Sequence, residues 1–94
     1  MLFAATHMRP ANMCPLNKSE GRKMLKDLFS EENMRKAGVK VTSANMSCPI
    51  SGPPDHKGYF IVEAKDATTV TRFFGPMTVE VREVKPWSEV SKTI

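Results

Sequence analysis

The run Gly58–Ala64, with the sequence GYFIVEA, constrains the fold of this chain more than any other segment. Its aromatic and β-branched residues favour a β-strand, and apolar side chains occupy both alternating sets of positions, which point to opposite faces. A sheet with one face in water would alternate more cleanly between apolar and polar residues. We therefore predict a central strand that is covered on both faces. The two sets are Phe60, Val62 and Ala64, expected to face helices, and Tyr59, Ile61 and Glu63, expected to face away from them.

Three further segments have strand character, and two have helical periodicity. The strands are predicted at 2–6, 39–46 and 77–84. The resulting order, β-α-β-β-α-β, is that of the ferredoxin-like α+β folds, whose four-stranded antiparallel sheet has the spatial order 4-1-3-2 with both helices on one face. We predict a single domain over residues 1–94, with residues 86–94 as a C-terminal extension anchored by Trp87.

Capping residues and apolar spacing define the two predicted helices. The first ends at Ala37, before Gly38, a natural helix stop. Ser30, followed by two glutamates, has the pattern of a new N-cap, so this helix is expected to break and restart there. Asp66 is the predicted cap of the second helix. The predicted buried stripes are Met24, Leu25, Leu28 and Phe29 in the first helix, and Val70, Phe73 and Phe74 in the second.

Two loops rich in proline flank the central strands. Residues 9–17 follow the first strand, and residues 47–57 join the second strand to the third. In a 4-1-3-2 antiparallel sheet, both loops leave the same end of the sheet. We therefore expect four residues with metal-binding or catalytic chemistry to meet at that end. These residues are His7, Cys14, Cys48 and His56.

This cluster is compatible with more than one kind of site. Two imidazoles and two thiols are a possible ligand set for zinc or copper, although the cysteines lack the tight paired spacing of zinc fingers. Cys14 and Cys48 would instead form a redox pair or a regulated disulfide if their Cα atoms lie within about 7 Å, and each cysteine, which precedes a proline, also fits a small buried loop residue. Imidazole can instead serve as acid, base or hydrogen-bond donor in a small-molecule pocket. The candidate catalytic residues are His7, Tyr59 and His56, and we expect no cofactor.

The composition argues against membrane and nucleic-acid partners. No apolar run approaches the ~18 residues of a membrane span, and the N-terminus lacks the basic region of a signal peptide, so we expect a cytoplasmic protein. The net charge is +4, but lysines and arginines are interleaved with acidic residues. Mixed signs are typical of solvated faces rather than of a polyanion track.

Segments 37–46, 56–67 and 73–87 resemble the small dimeric α/β-barrel proteins of the ferredoxin-like class. The resemblance includes the run H…Y-x-I-V-E-A-x-D of short stand-alone members. It implies a homodimer that binds a small organic ligand, here near His7 and Tyr59. Relatives include cofactor-independent monooxygenases, polyketide cyclases, muconolactone isomerases and haem-degrading enzymes. As an enzyme, the chain would therefore be a cofactor-independent isomerase, cyclase or oxygenase.

The apolar open face of the predicted sheet independently suggests a second copy as its cover, because two-fold dimers are the commonest assemblies. Phe3, Tyr59 and Ile61 are predicted to contribute to that interface. Exposing three such side chains would forgo about 1.5–3 kcal/mol each.

The RNA-recognition motif shares this strand order and is a competing resemblance. Lys57, Gly58, Tyr59 and Val62 match its third-strand signature. Other positions of that signature lack the aromatic rings on which bases stack. Only Tyr59 and Phe3 could supply such rings on the open face, so a nucleic-acid-binding module is the weaker alternative.

Overall fold

The computed structural model describes residues 1–10, 18–47 and 55–94, which form a four-stranded antiparallel sheet with helices packed on one face. The strand order is β2-β3-β1-β4, which is the predicted 4-1-3-2 order counted from the other edge. The order β-α-β-β-α-β is confirmed, with two consecutive helices in place of the first one. The strands are β1 (Leu2–Pro10), β2 (Val39–Met46), β3 (Asp55–Ala64) and β4 (Thr78–Glu83), and the helices are α1 (Ser19–Leu28), α2 (Glu31–Ala37), α3 (Ala67–Phe74) and α4 (Trp87–Val90), followed by a 3-10 turn at Ser91–Thr93.

Local sequence explains where α2 and α3 begin and end. The Ser30 hydroxyl accepts a hydrogen bond from the backbone N–H of Asn33 at 3.3 Å, which confirms the predicted restart. Gly38 ends α2 in the left-handed conformation at φ 76°, where a side chain would be disfavoured. Asp66 caps α3 by accepting from the backbone N–H of Thr69 at 2.8 Å. The hydrogen bond from the Thr69 hydroxyl, together with that backbone bond, holds the pKa of Asp66 below its usual range.

The core lies between the sheet and the helices. Phe60, Val62 and Ala64 are buried, as predicted, and Val62 has no exposed surface. The ring centroids of Phe60 and Phe74 lie 4.5 Å apart, and those of Phe29 and Phe60 lie 5.7 Å apart. Aromatic contacts of this kind add about 0.5–1.5 kcal/mol beyond the burial of area. The buried core residues are Phe3, Ala5, Val39, Phe60, Val62, Ala64, Val70 and Phe74.

Both central strands are longer than the sequence predicts. β1 continues through Pro10, so Arg9 and Pro10 lie in a strand and not at the start of a loop. The reason is pairing: the ladder with β3 runs from Leu2 opposite Glu63 to Pro10 opposite Asp55. Proline is tolerated at the end of a strand, where its missing N–H breaks little of the ladder.

Three side chains lie in environments different from those predicted. Phe3 is 3% exposed and belongs to the core, so its assignment to the open face is wrong. Met24 is 50% exposed, because the inner side of α1 is formed by Leu25 and Leu28 instead. Trp87 is 70% exposed at the start of α4 and does not anchor the C-terminal segment.

None of the helices in the described ranges is long and apolar enough to cross a membrane.

Candidate functional site

His7 and His56 lie on the same face and at the same end of the sheet. In the β1–β3 ladder, His7 is opposite Gly58, and Arg9 is opposite His56. Opposite residues of antiparallel strands share a face, as do residues two apart on one strand. His7, Arg9 and His56 therefore share the helix side of the sheet with Phe60. His7 and His56 are diagonal neighbours, a relation in which residues lie about 7–8 Å apart.

A cavity of about 60 Å³ lies beside the two histidines, between the sheet and the helices. Its polar lining at one end comes from His7, Arg9 and His56. Lys57 also lines it, but Lys57 pairs with Met8 and its side chain belongs to the opposite face, so its backbone forms the wall. The apolar lining consists of Leu25, Leu28, Phe29, Met46, Phe60 and Phe74.

Gly58 shapes this cavity because it has no side chain. It is buried between His7 of β1 and Met46 of β2, with which it pairs. A Cβ atom at position 58 would lie 2.6 Å from Cε2 of Phe60. The ring of Phe60 therefore lies directly over Gly58, and any larger residue there would displace it.

The surroundings of His7 favour its neutral form. Burial lowers the pKa of His7 below its ordinary value of 6.5, and the positive charge of Arg9 lowers it further. Hydrogen bonding to the backbone of Phe74 acts in the opposite direction and raises this pKa. His7 is therefore neutral near pH 7, with one ring nitrogen able to accept a hydrogen bond or a proton.

His56 contributes a buried nitrogen to the same region. Its Nδ1 has no hydrogen-bond partner among the residues that the structure describes. Leaving such a group unsatisfied costs about 1–3 kcal/mol. A polar ligand group in the cavity would be a suitable partner for it.

Tyr59, the third predicted catalytic residue, lies on the other face of the sheet. It pairs with Thr6 of β1 and Asn45 of β2 and is 50% exposed. His7 shares the helix side with Ala5, so Tyr59 and His7 cannot line one cavity within a protomer. The predicted site that combines His7 with Tyr59 is therefore not formed within a protomer, because the two side chains point to opposite faces of the sheet.

The predicted metal site is only partly within the described residues. Cys14 and Cys48 lie outside them, as does most of the predicted contact between the two loops. Among residues 1–10, 18–47 and 55–94, no group of three or more His, Cys, Asp or Glu side chains is placed to hold a metal ion. The sheet brings His7 and His56 together, and the thiol contribution stays a prediction.

The sequence reasoning overlooked Arg9, Gly58 and the apolar wall. Arg9 could have been found from its spacing of two from His7, had the strand been extended beyond Thr6. Gly58 carried no separate signal, since a glycine at the start of a predicted strand is common at a turn. For Met46 and Leu28 the sequence predicts only a strand position and a buried helix position.

The face of the sheet away from the helices, here called the open face, combines an apolar centre with charges at its margins. Glu63 faces Lys40 at 4.0 Å, and Arg82 faces Glu80 at 3.2 Å. Glu63 lies at the far end of β3 from His56, as predicted. The uncharged residues that the two central strands, β1 and β3, contribute to the open face include Leu2, Ala4, Thr6, Met8, Tyr59 and Ile61.

No protein-family model matches this chain, and no curated protein or solved structure resembles it at a significant level.

Proposed function

We propose that this protein binds a small organic molecule in the cavity beside His7 and His56, on the helix side of a ferredoxin-like sheet. One observation carries the proposal: two imidazoles and Arg9 converge on a cavity whose other walls are apolar. Apolar walls with a few convergent polar groups are typical of small-molecule sites. The ligand would lie between sheet and helices, and not between two sheets near Tyr59 as the sequence suggested.

The size of the cavity limits the ligand. About 60 Å³ accommodates roughly four to six water-sized groups, at about 10–15 Å³ each. The enclosed part of the ligand is therefore a short chain or a small ring. A polar group at the imidazole end would satisfy Nδ1 of His56 and hydrogen-bond to neutral His7.

The binding proposal is tested by NMR titration of the full chain with four-carbon alcohols, amides and carboxylates. We expect saturable shifts of the imidazole Cε1–H signals of His7 and His56 with at least one of these probes. Leu28→Phe should fill the cavity and weaken binding at least tenfold, whereas Leu2→Phe on the open face should not. Absence of saturable shifts with every probe would reject the proposal.

Acid–base chemistry on the bound molecule is a second candidate function. Its support is the lowered pKa of His7, which leaves a neutral base near pH 7. In this form the protein would act as a cofactor-independent isomerase or cyclase, with His7 taking a proton. Exchange of the α-protons of butanone into D₂O should be accelerated by the protein and lose that acceleration in His7→Gln.

We further infer a homodimer of the dimeric α/β-barrel type, with a second copy covering the open face. Four strands spaced ~4.8 Å apart and about eight residues long at ~3.3 Å each give a face of roughly 19 by 26 Å. That face is roughly 500 Å² in projection, less than the about 800 Å² that a stable interface buries per partner, so the cover must extend over the whole face and its margins. A second identical sheet has the required dimensions.

The charges at the ends of β3 also suit a two-fold dimer. Lys57 and Glu63 lie on the open face at opposite ends of β3. A two-fold axis across the middle of the strand would place Lys57 of one protomer over Glu63 of its partner. Tyr59 would then lie at the centre of the interface.

Light scattering with matched variants tests the dimer. Tyr59 and Met24 are each 50% exposed, but Tyr59 is on the open face and Met24 is on α1. Tyr59→Glu should halve the apparent mass at micromolar concentration, and Met24→Glu should leave it unchanged. A wild-type monomer at that concentration would exclude the dimer.

Metal binding through His7, Cys14, Cys48 and His56 is supported by the shared location of the two histidines alone. Elemental analysis of untagged protein should detect stoichiometric zinc or copper that a Cys14→Ser, Cys48→Ser variant loses.

RNA binding has less support, because Tyr59 supplies the one aromatic ring on the described part of the open face. Salt-dependent binding of single-stranded RNA would be required to restore that alternative.

A further inference from the structure

The polar and apolar parts of the cavity lining differ in charge, because the cationic group lies in the polar part. Three residues line the cavity with titratable or cationic side chains: His7 and Arg9 from β1, and His56 from β3, whereas Lys57 contributes its backbone. The contributions of α1, β2 and α3 are apolar. No residue in the described part of the lining carries a carboxylate. The site therefore has a positive end and an apolar end, with no opposing negative charge among the described lining residues.

Arg9 is the permanent cation of this site. It lies on the helix side of the sheet opposite His56, and it is half-buried. Arg9 and His7 line the same cavity, and the positive charge of Arg9 adds to burial in lowering the pKa of His7. The described ion pairs of the chain involve Lys36, Lys40 and Arg82, and none of them engages Arg9. A guanidinium group is planar and suited to paired hydrogen bonds with a carboxylate.

We propose that the ligand of this cavity is a small carboxylate with a short aliphatic or aromatic body, held by Arg9 at its carboxylate and by the wall of leucine, methionine and phenylalanine side chains at its body. This inference rests on the proposed ligand-binding function and specifies its ligand class. One carboxylate oxygen would accept from Arg9, and the other would accept from an imidazole N–H of His7 or His56. The body would occupy the space in front of Phe60 and Phe74.

A carboxylate in this position must also change the protonation of His7. An anion beside His7 favours the imidazolium, which burial and Arg9 disfavour in the free protein. By linkage, lowering the pH from about 8 to about 6 should then strengthen carboxylate binding. A neutral ligand of the same shape should show little of this dependence.

The test compares butyrate with butyramide, which has nearly the same shape but no charge, by NMR titration of the full chain. We expect butyrate to bind at least tenfold more tightly at pH 6.5 and to raise the pKa of His7. Arg9→Gln should weaken butyrate binding about tenfold, the scale of one charge-assisted hydrogen bond, and leave butyramide unchanged. Arg35→Gln, an exposed change of equal charge on α2, should affect neither probe.

The outcomes separate this inference from the function on which it rests. Equal binding of butyrate and butyramide, with no effect of Arg9→Gln, would overturn the carboxylate assignment and leave a small-molecule site in place. Failure of every four-carbon probe would overturn both. The comparison of the two probes on the wild-type chain does not depend on the folding of any variant.

Discussion

The two faces of the sheet are built from alternating residues of the same strands, yet their environments differ sharply. Phe60 is 5% exposed among the helices, whereas the preceding residue, Tyr59, is 50% exposed on the open face. In β1, His7 lines the helix-side cavity, and Thr6 lies across from Tyr59. A displacement of one residue therefore decides whether a side chain belongs to the cavity or to the proposed dimer interface.

Truncating neighbouring aromatic residues on the two faces should change the stability by very different amounts. Phe60→Ala should lower the free energy of unfolding by about 3–5 kcal/mol, since it removes a buried ring and leaves a void. Tyr59→Ala should cost less than about 1 kcal/mol in protein dilute enough to be monomeric. Urea denaturation measures both values. Equal losses would mean that the two faces are equally buried in the monomer.

Gly58→Ala should lower the free energy of unfolding by disturbing the packing on the helix side of the sheet. The added Cβ would lie 2.6 Å from the ring of Phe60, and such overpacking typically costs about 1–3 kcal/mol. Lys57→Ala, one position away on the open face, should have a much smaller effect. A double variant, Gly58→Ala with Phe60→Leu, should recover part of the loss. Strict additivity of the two changes would indicate that the ring and the glycine are not coupled.

The pH dependence of stability should come from the helix side of the sheet, because His7 is titratable and half-buried there. Its pKa in the folded chain is below the ordinary 6.5, so the unfolded chain binds the proton first as the pH falls. The contribution of neutral His7 to the free energy of unfolding is present above about pH 6.5, and it is lost as the pH falls through the lower pKa of the folded chain. Denaturation between about pH 5 and pH 8 should show the decline, and His7→Gln should reduce it. An unchanged slope in that variant would assign the dependence to another group.

The smallest expected effect concerns the margin of the open face. Lys40 and Glu63 are separated by 4.0 Å, and both side chains are mostly exposed. Such pairs contribute about 0–1 kcal/mol, so Glu63→Gln should change monomer stability by less than about 0.5 kcal/mol. In the proposed dimer the same substitution would remove a contact with Lys57 of the partner protomer. Dimer dissociation measured at two salt concentrations would reveal that contribution.

Local signals predicted the parts of this fold that depend on a few neighbouring residues. The cap at Ser30, the stop at Gly38 and the cap at Asp66 each follow from one side chain and the adjacent backbone. The two faces of β3 also follow from alternation. Only one of the two alternating sets contains a charged residue, Glu63, so the other set is the one predicted to be buried. The topology then places His7 and His56 at one end of the sheet, since strand order determines which strand ends are neighbours.

Tertiary pairing and packing decided the rest. The face of β1 could not be predicted, because Leu2 and Phe3 are both large and apolar, and only contact with the helices selects Phe3 for the core. The ends of β1 and β3 are set by their shared ladder, which overrides the loop tendency of Pro10. The separation of His7 from Tyr59, and the cavity beneath Phe60, follow from that register. Single-residue patterns do not contain this information, because a register is a relation between two distant segments.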